Sequence, residues 1–307
     1  MNDVLYVCAQ PAIDYYTWQV EVMINNFIEN NVKPENIHIV CSYHGTVPEK
    51  WEKLKSVYNK VGFFFYKDER FKPGYIPSVR PHVLHKHWLH NPELENRTVL
   101  YHDCDIILAR PLDFTNMLDL NTCYVSDTIS YIGAKYIRSK GEHYLDLMTD
   151  IVGVNKQYVI ENELNSGGAQ YLLKNIPTGF WNKVYNDCET LYRVVNQQIA
   201  KDNPPHAIQI WCADMWAVLW NLWVYDRKVL VSPKLSFSWA TSNIRDWDKH
   251  DIYHNAGVTG PGQMFYKGAY INKLPYQSID LNKFSKDFCS YKYAEQIDKT
   301  SKITCLL

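Results

Sequence analysis

The chain opens with VLYVCA (4–9), a continuous apolar run that predicts a buried strand. YYTWQVEVMINNFIEN (15–30) follows with apolar positions at helical spacing, Trp18, Val22, Ile24, Phe27 and Ile28. NIHIVCSY (36–43) predicts a second strand, PEKWEKLKSVYN (48–59) a helix with proline in its first turn, and GFFFY (62–66) a third strand. SVRPHVLHKHWLHN (78–91) predicts a helix with Ser78 as N-cap, and RTVLYHDCD (97–105) a fourth strand. Strands alternating with helices over some 100 residues predict βαβ units and a parallel sheet covered on both faces. In such sheets ligands bind beyond the carboxyl ends of the strands.

After residue 110 the alternation weakens. TCYVSD (122–127) and KVLVSP (228–233) predict strands, and NSGGAQYLL (165–173) a glycine turn entering a strand. Residues 141–155, 179–200 and 213–226 predict helices, the last very apolar with Trp216, Trp220 and Trp223. DIYHNAGVTGPG (251–262) predicts a strand running into a glycine-rich loop. No repeat and no linker is visible. The expected organisation is one α/β domain over 1–275, a mostly parallel sheet flanked by helices, with a polar tail over 276–307 packing on it or extending from it.

Composition narrows the functional classes. The formal charge is −1 over 307 residues and the pI near 6.8, so no global field draws nucleic acid or an anionic membrane. Aromatics reach 14%, with 10 Trp and 23 Tyr, enough to fill a core and leave rings for stacking on sugars or bases. The 8 cysteines form no CxxC pair, and Cys8 and Cys41 lie inside apolar runs, which reads as reduced, buried thiols. No signal peptide and no run of about 18 apolar residues is visible. A cytoplasmic protein without a membrane span is expected.

The candidate chemistry begins at Asp103-Cys104-Asp105, where an apolar strand ends in two carboxylates. A buried carboxylate without a partner is costly, so a cation is expected there. Two carboxylates at i and i+2 can share one Mg²⁺ or Mn²⁺, which would hold a diphosphate; a plain turn or cap explains the same pair. His254 can complete such a metal sphere or be structural. Gly257, Gly260 and Gly262 permit backbone approach to phosphate, and Lys267 can supply a point charge. Asn165, Ser166, Gly167 and Gly168 form either a ligand-lining turn or a turn alone. Asp214, at the start of the apolar helix, is a helix-dipole partner or a site residue. Arg80 and Lys86 precede the Asp-bearing strand on a helix whose solvated face also accounts for them. His82, His85, His87 and His90 lack the spacing of one metal site.

Taken together, VLYHDCDIILARPL, then NSGG, then Asp214, then YHNAG and FYKG resemble the GT-A glycosyltransferases over about residues 4–270. The nearest groups in pattern are the glycogenin and bacterial galactosyltransferase-like enzymes and the hydroxyproline arabinosyltransferase and peptidyl-serine galactosyltransferase group of plants. The family pattern YLDxDxLV…PL is met at Tyr101, Asp103, Asp105, Ile107, Pro111 and Leu112, with His102 where leucine is usual. Of the pattern HxxGxxKPW, His254 and Gly257 match, Gly260 stands in the lysine position, and no Pro-Trp follows, so Lys267 is the substitute cation.

The resemblance implies that Asp103 faces the ribose and metal, and that Asp105 and His254 ligate Mn²⁺ or Mg²⁺. It implies Arg80 and Lys86 at the donor, Asn165, Ser166 and Gly167 at its sugar, and Asp214 as the catalytic or acceptor-orienting carboxylate. Ala9 and Gln10 would bound the base, with the Asp68–Arg70 stretch nearby. The expected activity is transfer of a sugar from a nucleoside diphosphate, a UDP-sugar, to a hydroxyl acceptor, foremost a glycan. Hydroxymethylated bases of phage or viral DNA are the alternative acceptor, favoured by the surplus aromatics and opposed by the lack of a basic stripe. A nucleotidyltransferase or phosphohydrolase would use the same carboxylates, but AQPAIDYYTW lacks the glycine-rich basic loop after the first strand. A non-catalytic sugar-binding module is the third class.

Overall fold

A computed structural model describes residues 4–119, 121–304 and 306. In chain order the elements are β1 (Leu5–Pro11), α1 (Asp14–Glu29), β2 (Ile37–Tyr43), α2 (Glu49–Val57), β3 (Gly62–Lys67), α3 (Val79–His90), β4 (Val99–Tyr101) and β5 (Ile106–Leu108). There follow β6 (Thr122–Asp127), α4 (Ile129–Ile132), α5 (Ala134–Lys140), α6 (Glu142–Val152), α7 (Lys156–Glu161), β7 (Gly167–Leu173), α8 (Phe180–Asp202) and α9 (Ala213–Val224). The last are β8 (Lys228–Val231), β9 (Phe237–Trp239), β10 (Ile252–His254) and α10 (Ser290–Ser301). The described residues form two compact units, each built from segments distant in sequence.

One unit contains residues 4–67, His102–Thr115 and 233–306. Its strands β1, β2 and β3 are parallel with β2 central, Val7 facing His38 and Ile39 facing Phe63 across the ladders. Helix α1 buries Trp18, Val22, Ile24 and Phe27 of the anticipated stripe together with Met23, whereas Ile28, expected in the same stripe, is exposed because the helix end leaves the core. A second, small sheet runs β5-β10-β9, antiparallel then parallel. At the outer edge of β5, Leu108 is met by two asparagines at the end of α1, Asn26 and Asn30, the latter donating to the Leu108 carbonyl at 3.2 Å. Asn26 of α1 donates to the Leu108 carbonyl at 3.2 Å and accepts the Leu108 N–H at 2.6 Å, satisfying backbone groups that lack a strand neighbour. The segment expected as a tail contains α10, which buries Tyr293, Ala294 and Ile297; Tyr293 stacks on Tyr253 of β10 at 5.7 Å. Cys305 lies outside the described residues.

The other unit contains Asp68–Tyr101 and Asn116–Ser232. Its strands run in the order β4-β7-β6-β8; β4, β6 and β8 share one direction and β7 opposes its neighbours. Helices α8 and α9 supply several of its largest core side chains, with Trp181, Trp216 and Trp220 fully buried. The α/β class and the mostly parallel strands are those anticipated, with β7 the antiparallel exception. Two local expectations are corrected. The fourth strand ends at Tyr101, because residues 102–105 turn and the chain re-enters as β5. Ser78 does not cap α3 through its side chain: its hydroxyl lies 2.7 Å from the Tyr75 carbonyl and 2.5 Å from the Glu189 carboxylate, the two acceptors open to its one hydrogen. Among the described residues no helix is long and apolar enough to cross a membrane.

Candidate metal and carboxylate sites

The Asp pair sits in the turn between β4 and β5. Its entry is fixed by His102, whose backbone N–H donates to the Val7 carbonyl of β1 at 3.0 Å and whose ring is buried among Tyr6 and Phe27. Burial lowers the pKa of that ring to about 4, so it stands neutral behind the carboxylates. Cys104, between the aspartates, is buried. Leaving the turn, β5 pairs antiparallel with β10, and the register sets His254 opposite Ile106. The Asn255 N–H extends that ladder to the Asp105 carbonyl at 3.0 Å. Residues 149 positions apart in sequence are thus brought together by one register, and Gly257 then reverses the chain at φ +93°, a left-handed geometry that disfavours side chains.

The resulting geometry is compact. His254 Nε2 lies 3.3 Å from Asp105 Oδ1 and 3.5 Å from Asp103 Oδ2. One donor atom from each of Asp103, Asp105 and His254 falls within 4.8 Å of the others. Adjacent ligands of an octahedral ion with bonds of about 2.1 Å lie roughly 3 Å apart, so the three could close on one divalent cation with small side-chain movements. The imidazole is held between rings, parallel to Trp239 at 6.1 Å and tilted on Phe237 at 5.4 Å, and its buried Nδ1 has no hydrogen-bond partner. Two carboxylate oxygens and one imidazole nitrogen are a donor set for a divalent cation.

A cationic side chain of the protein itself stands beside the pair. Lys267 contacts Asp105 Oδ2 through its ammonium group. Burial by itself would raise the Asp105 carboxyl, but Lys267 and His254 overcome that cost and hold it far below the usual carboxylate range. Burial likewise opposes the Lys267 charge, and Asp105 reverses this, pushing the lysine upward. Asp103, with 27% of its side chain exposed against 7% for Asp105, is the open side of the group. Ala9 and Gln10 are buried on β1, and the Gln10 amide donates to the Cys41 thiol at 3.2 Å. Cys8 and Cys41 are fully buried free thiols, as expected.

In the other unit Asp214 opens α9 and is 8% exposed. Tyr75 Oη donates to Asp214 Oδ1 at 2.7 Å, and Arg80 Nη2 meets Asp214 Oδ2 at 2.9 Å. Both carboxylate oxygens are therefore engaged. Burial first, and then the Asp214 charge, push the Tyr75 hydroxyl far above its usual range, so it acts there as a donor. The Tyr75 ring stacks on Tyr192 at 4.8 Å, and Tyr75 Oη also lies 2.5 Å from the Trp211 carbonyl. Trp211 is 59% exposed and packs face to face with Tyr131 at 6.3 Å. Lys86 pairs with Glu69 at 2.6 Å, and Arg70 grips Asp68 through Nε at 3.0 Å and Nη2 at 2.8 Å.

Asn165 and Ser166 lead into β7, where the β6 register shifts. A Cβ on Gly167 would stand 2.3 Å from the Ser126 carbonyl oxygen, and one on Gly168 2.6 Å from Tyr171 Oη. These glycines have a packing reason of their own, close approach at a β-bulge, and Ala169 adopts φ +70° within it. The Ser166 hydroxyl is buried without a partner. Tyr75, Trp211 and Tyr131 were not singled out in the sequence. No motif marks them; an exposed tryptophan two residues before the start of an apolar helix is the only local signal.

No family model matches the sequence, and no curated protein matches it. Among solved structures, the bifunctional glycosyltransferase WbbM aligns at a TM-score of 0.51 and 12% identity, over 97% of this chain and 50% of that one. The chain therefore spans about half the length of WbbM. The galactosyltransferase LgtC aligns at a TM-score of 0.42 and 12% identity, over 98% and 96% of the two chains. The glycosyltransferase GlyE of Streptococcus pneumoniae gives 0.44 and 12%, over 98% of this chain and 62% of that one. The fold is that of the GT-A glycosyltransferases.

Proposed function

We propose that the protein is a metal-dependent glycosyltransferase that moves a sugar from a nucleoside diphosphate, a UDP-sugar, to a hydroxyl of a glycan. The observation that carries this reading is the convergence of Asp103, Asp105 and His254 at one point of a GT-A fold. A divalent ion there supplies a fixed positive charge for the departing diphosphate. The mixed oxygen and nitrogen donor set favours Mn²⁺ over Mg²⁺. Gly257 offers backbone approach to phosphate, Lys267 a second positive charge, and Ala9 and Gln10 a floor for the base. Asn165, Ser166 and Gly167, with Arg80 and Lys86, are proposed donor contacts.

For Asp214 the proposed part is orientation of sugar hydroxyls rather than proton abstraction. A carboxylate that already accepts from a tyrosine and an arginine is held in one place by both oxygens, which suits positioning. The exposed Trp211 face beside Tyr131 supports a sugar as acceptor, since a pyranose lays its C–H face on an aromatic ring. Location in the cytoplasm belongs to the same proposal.

The test is a donor screen across UDP-, GDP- and dTDP-sugars with oligosaccharide and hydroxymethylated-DNA acceptors, read by mass spectrometry. Transfer from a UDP-sugar to an oligosaccharide that EDTA stops and Mn²⁺ restores is the expected result. Transfer only to DNA would replace the acceptor, and pyrophosphate release from a nucleoside triphosphate would replace the reaction class.

A further inference from the structure

The cation at Asp105 belongs to the protein itself, and its position raises a conflict. Asp105 Oδ1 faces His254 and Oδ2 is taken by Lys267, so a divalent ion bound by Asp103, Asp105 and His254 must share Asp105 with an ammonium group. Two positive charges on one carboxylate of 5% exposure repel strongly, about 4 kcal/mol at 4 Å even with an effective dielectric near 20 for unit charges. That repulsion favours the departure of one of them. The Lys267 backbone is poorly placed to do so. Phe265, just before it, is buried and donates its N–H to Ser290 Oγ at 2.8 Å. Tyr270, just after it, stacks on Phe265 at 5.4 Å with planes 8° apart. The side chain, 28% exposed, is the part with freedom to move.

Resting on the metal-dependent reading above, we propose that Lys267 is a resident counterion which metal displaces from Asp105 and which then binds the donor diphosphate. The lysine neutralises a buried carboxylate while the site waits, so the fold does not bear an uncompensated charge. It also makes binding of metal alone unfavourable. Once a diphosphate arrives, its oxygens offer the released ammonium a new partner, and metal and diphosphate bind cooperatively. Lys267 thereby gives the site selectivity for the metal–diphosphate pair over either part alone.

The experiment compares the wild type with Lys267→Met, which keeps the aliphatic stem and removes the charge. Free Mn²⁺ is followed by electron paramagnetic resonance without any nucleotide, and inorganic pyrophosphate binding is then followed calorimetrically at saturating Mn²⁺. The variant should bind Mn²⁺ alone at least about tenfold more tightly and pyrophosphate at least about tenfold more weakly, as expected for one charge at contact range. Opposite signs are the mark of a shared counterion, since a structural lesion weakens both. Unchanged or weaker Mn²⁺ binding would overturn the inference.

A measurement on the wild type needs no variant to fold. Acetic anhydride labelling of Lys267, read by mass spectrometry, should rise on Mn²⁺ addition while the 72% exposed Lys283 stays constant. Constant Lys267 labelling with Mn²⁺ demonstrably bound overturns the proposal and leaves the metal site standing. Absence of Mn²⁺ binding in both proteins removes the metal reading, and this inference with it.

Discussion

Asp105 and Asp214 are built from the same parts and differ in balance. Each is a buried carboxylate with one cationic partner and one ring donor or acceptor: Lys267 and His254 for Asp105, Arg80 and Tyr75 for Asp214. At Asp214 one negative charge meets one positive charge, and the partners are a forked guanidinium and a tyrosine stacked on Tyr192. At Asp105 a second carboxylate, Asp103, stands two residues away on the same imidazole, and is the more exposed of the two. The cation there is a flexible lysine rather than an arginine. A carboxylate with both oxygens tied to rigid partners holds a geometry, whereas a carboxylate pair with an exposed side and a flexible lysine suits a place for a ligand.

Substitution at the two aspartates breaks the comparison most sharply. Asp105→Asn should lower transfer by about 10³-fold or more, since a metal charge at the leaving group is worth several kcal/mol, with the circular dichroism spectrum retained. Near-normal turnover would remove Asp105 from the metal. Asp214→Ala should cost about 10- to 100-fold in transfer, the scale of one lost charged hydrogen-bond set, with Mn²⁺ affinity unchanged. A matching loss of Mn²⁺ binding would erase the distinction between the two carboxylates. Trp211→Ala should raise the acceptor KM by up to about tenfold, more than it lowers kcat, as loss of one stacking face implies. An unaltered KM would exclude the ring as an acceptor platform.

The smallest effect concerns His82 of α3. Burial, reinforced by Lys86 one turn on, lowers its pKa from 6.5 to about 4. Above pH 6.5 folded and unfolded chains both carry it neutral and its contribution is complete. As the pH falls from 6.5 toward about 4 the unfolded chain takes the proton first, so stability declines across that window. A His82 NMR midpoint near 6.5 would show that the ring is not desolvated.

Much of the first half was legible because its signals are local. The strands β1, β2 and β3 and the helices between them follow from apolar runs and helical spacing, each within a few residues of its observed bounds. The Asp pair announced a cation because carboxylates closing an apolar strand need one. The tail was less legible: α10 buries its apolar face on residues from the start of the chain, and its own sequence reads as polar. Gly167 and Gly168 could be read as ligand space or as a turn, and only the close approach of Ser126 to the first and of Tyr171 and Met215 to the second supplied a packing reason for them.

The sequence by itself determined the α/β class, the approach of Asp103 and Asp105 from an apolar strand, and His254 and Lys267 as candidates. These rest on periodicity and on the cost of burying charge, which act over a few residues. Tertiary structure decided the pairings. The β5–β10 register set His254 against Asp105, the turn after Phe265 laid Lys267 on the same carboxylate, and α3 brought Arg80 to Asp214. Partners 134 to 162 residues apart carry no mark of each other in the chain, because register and packing are properties of the assembled core rather than of either segment.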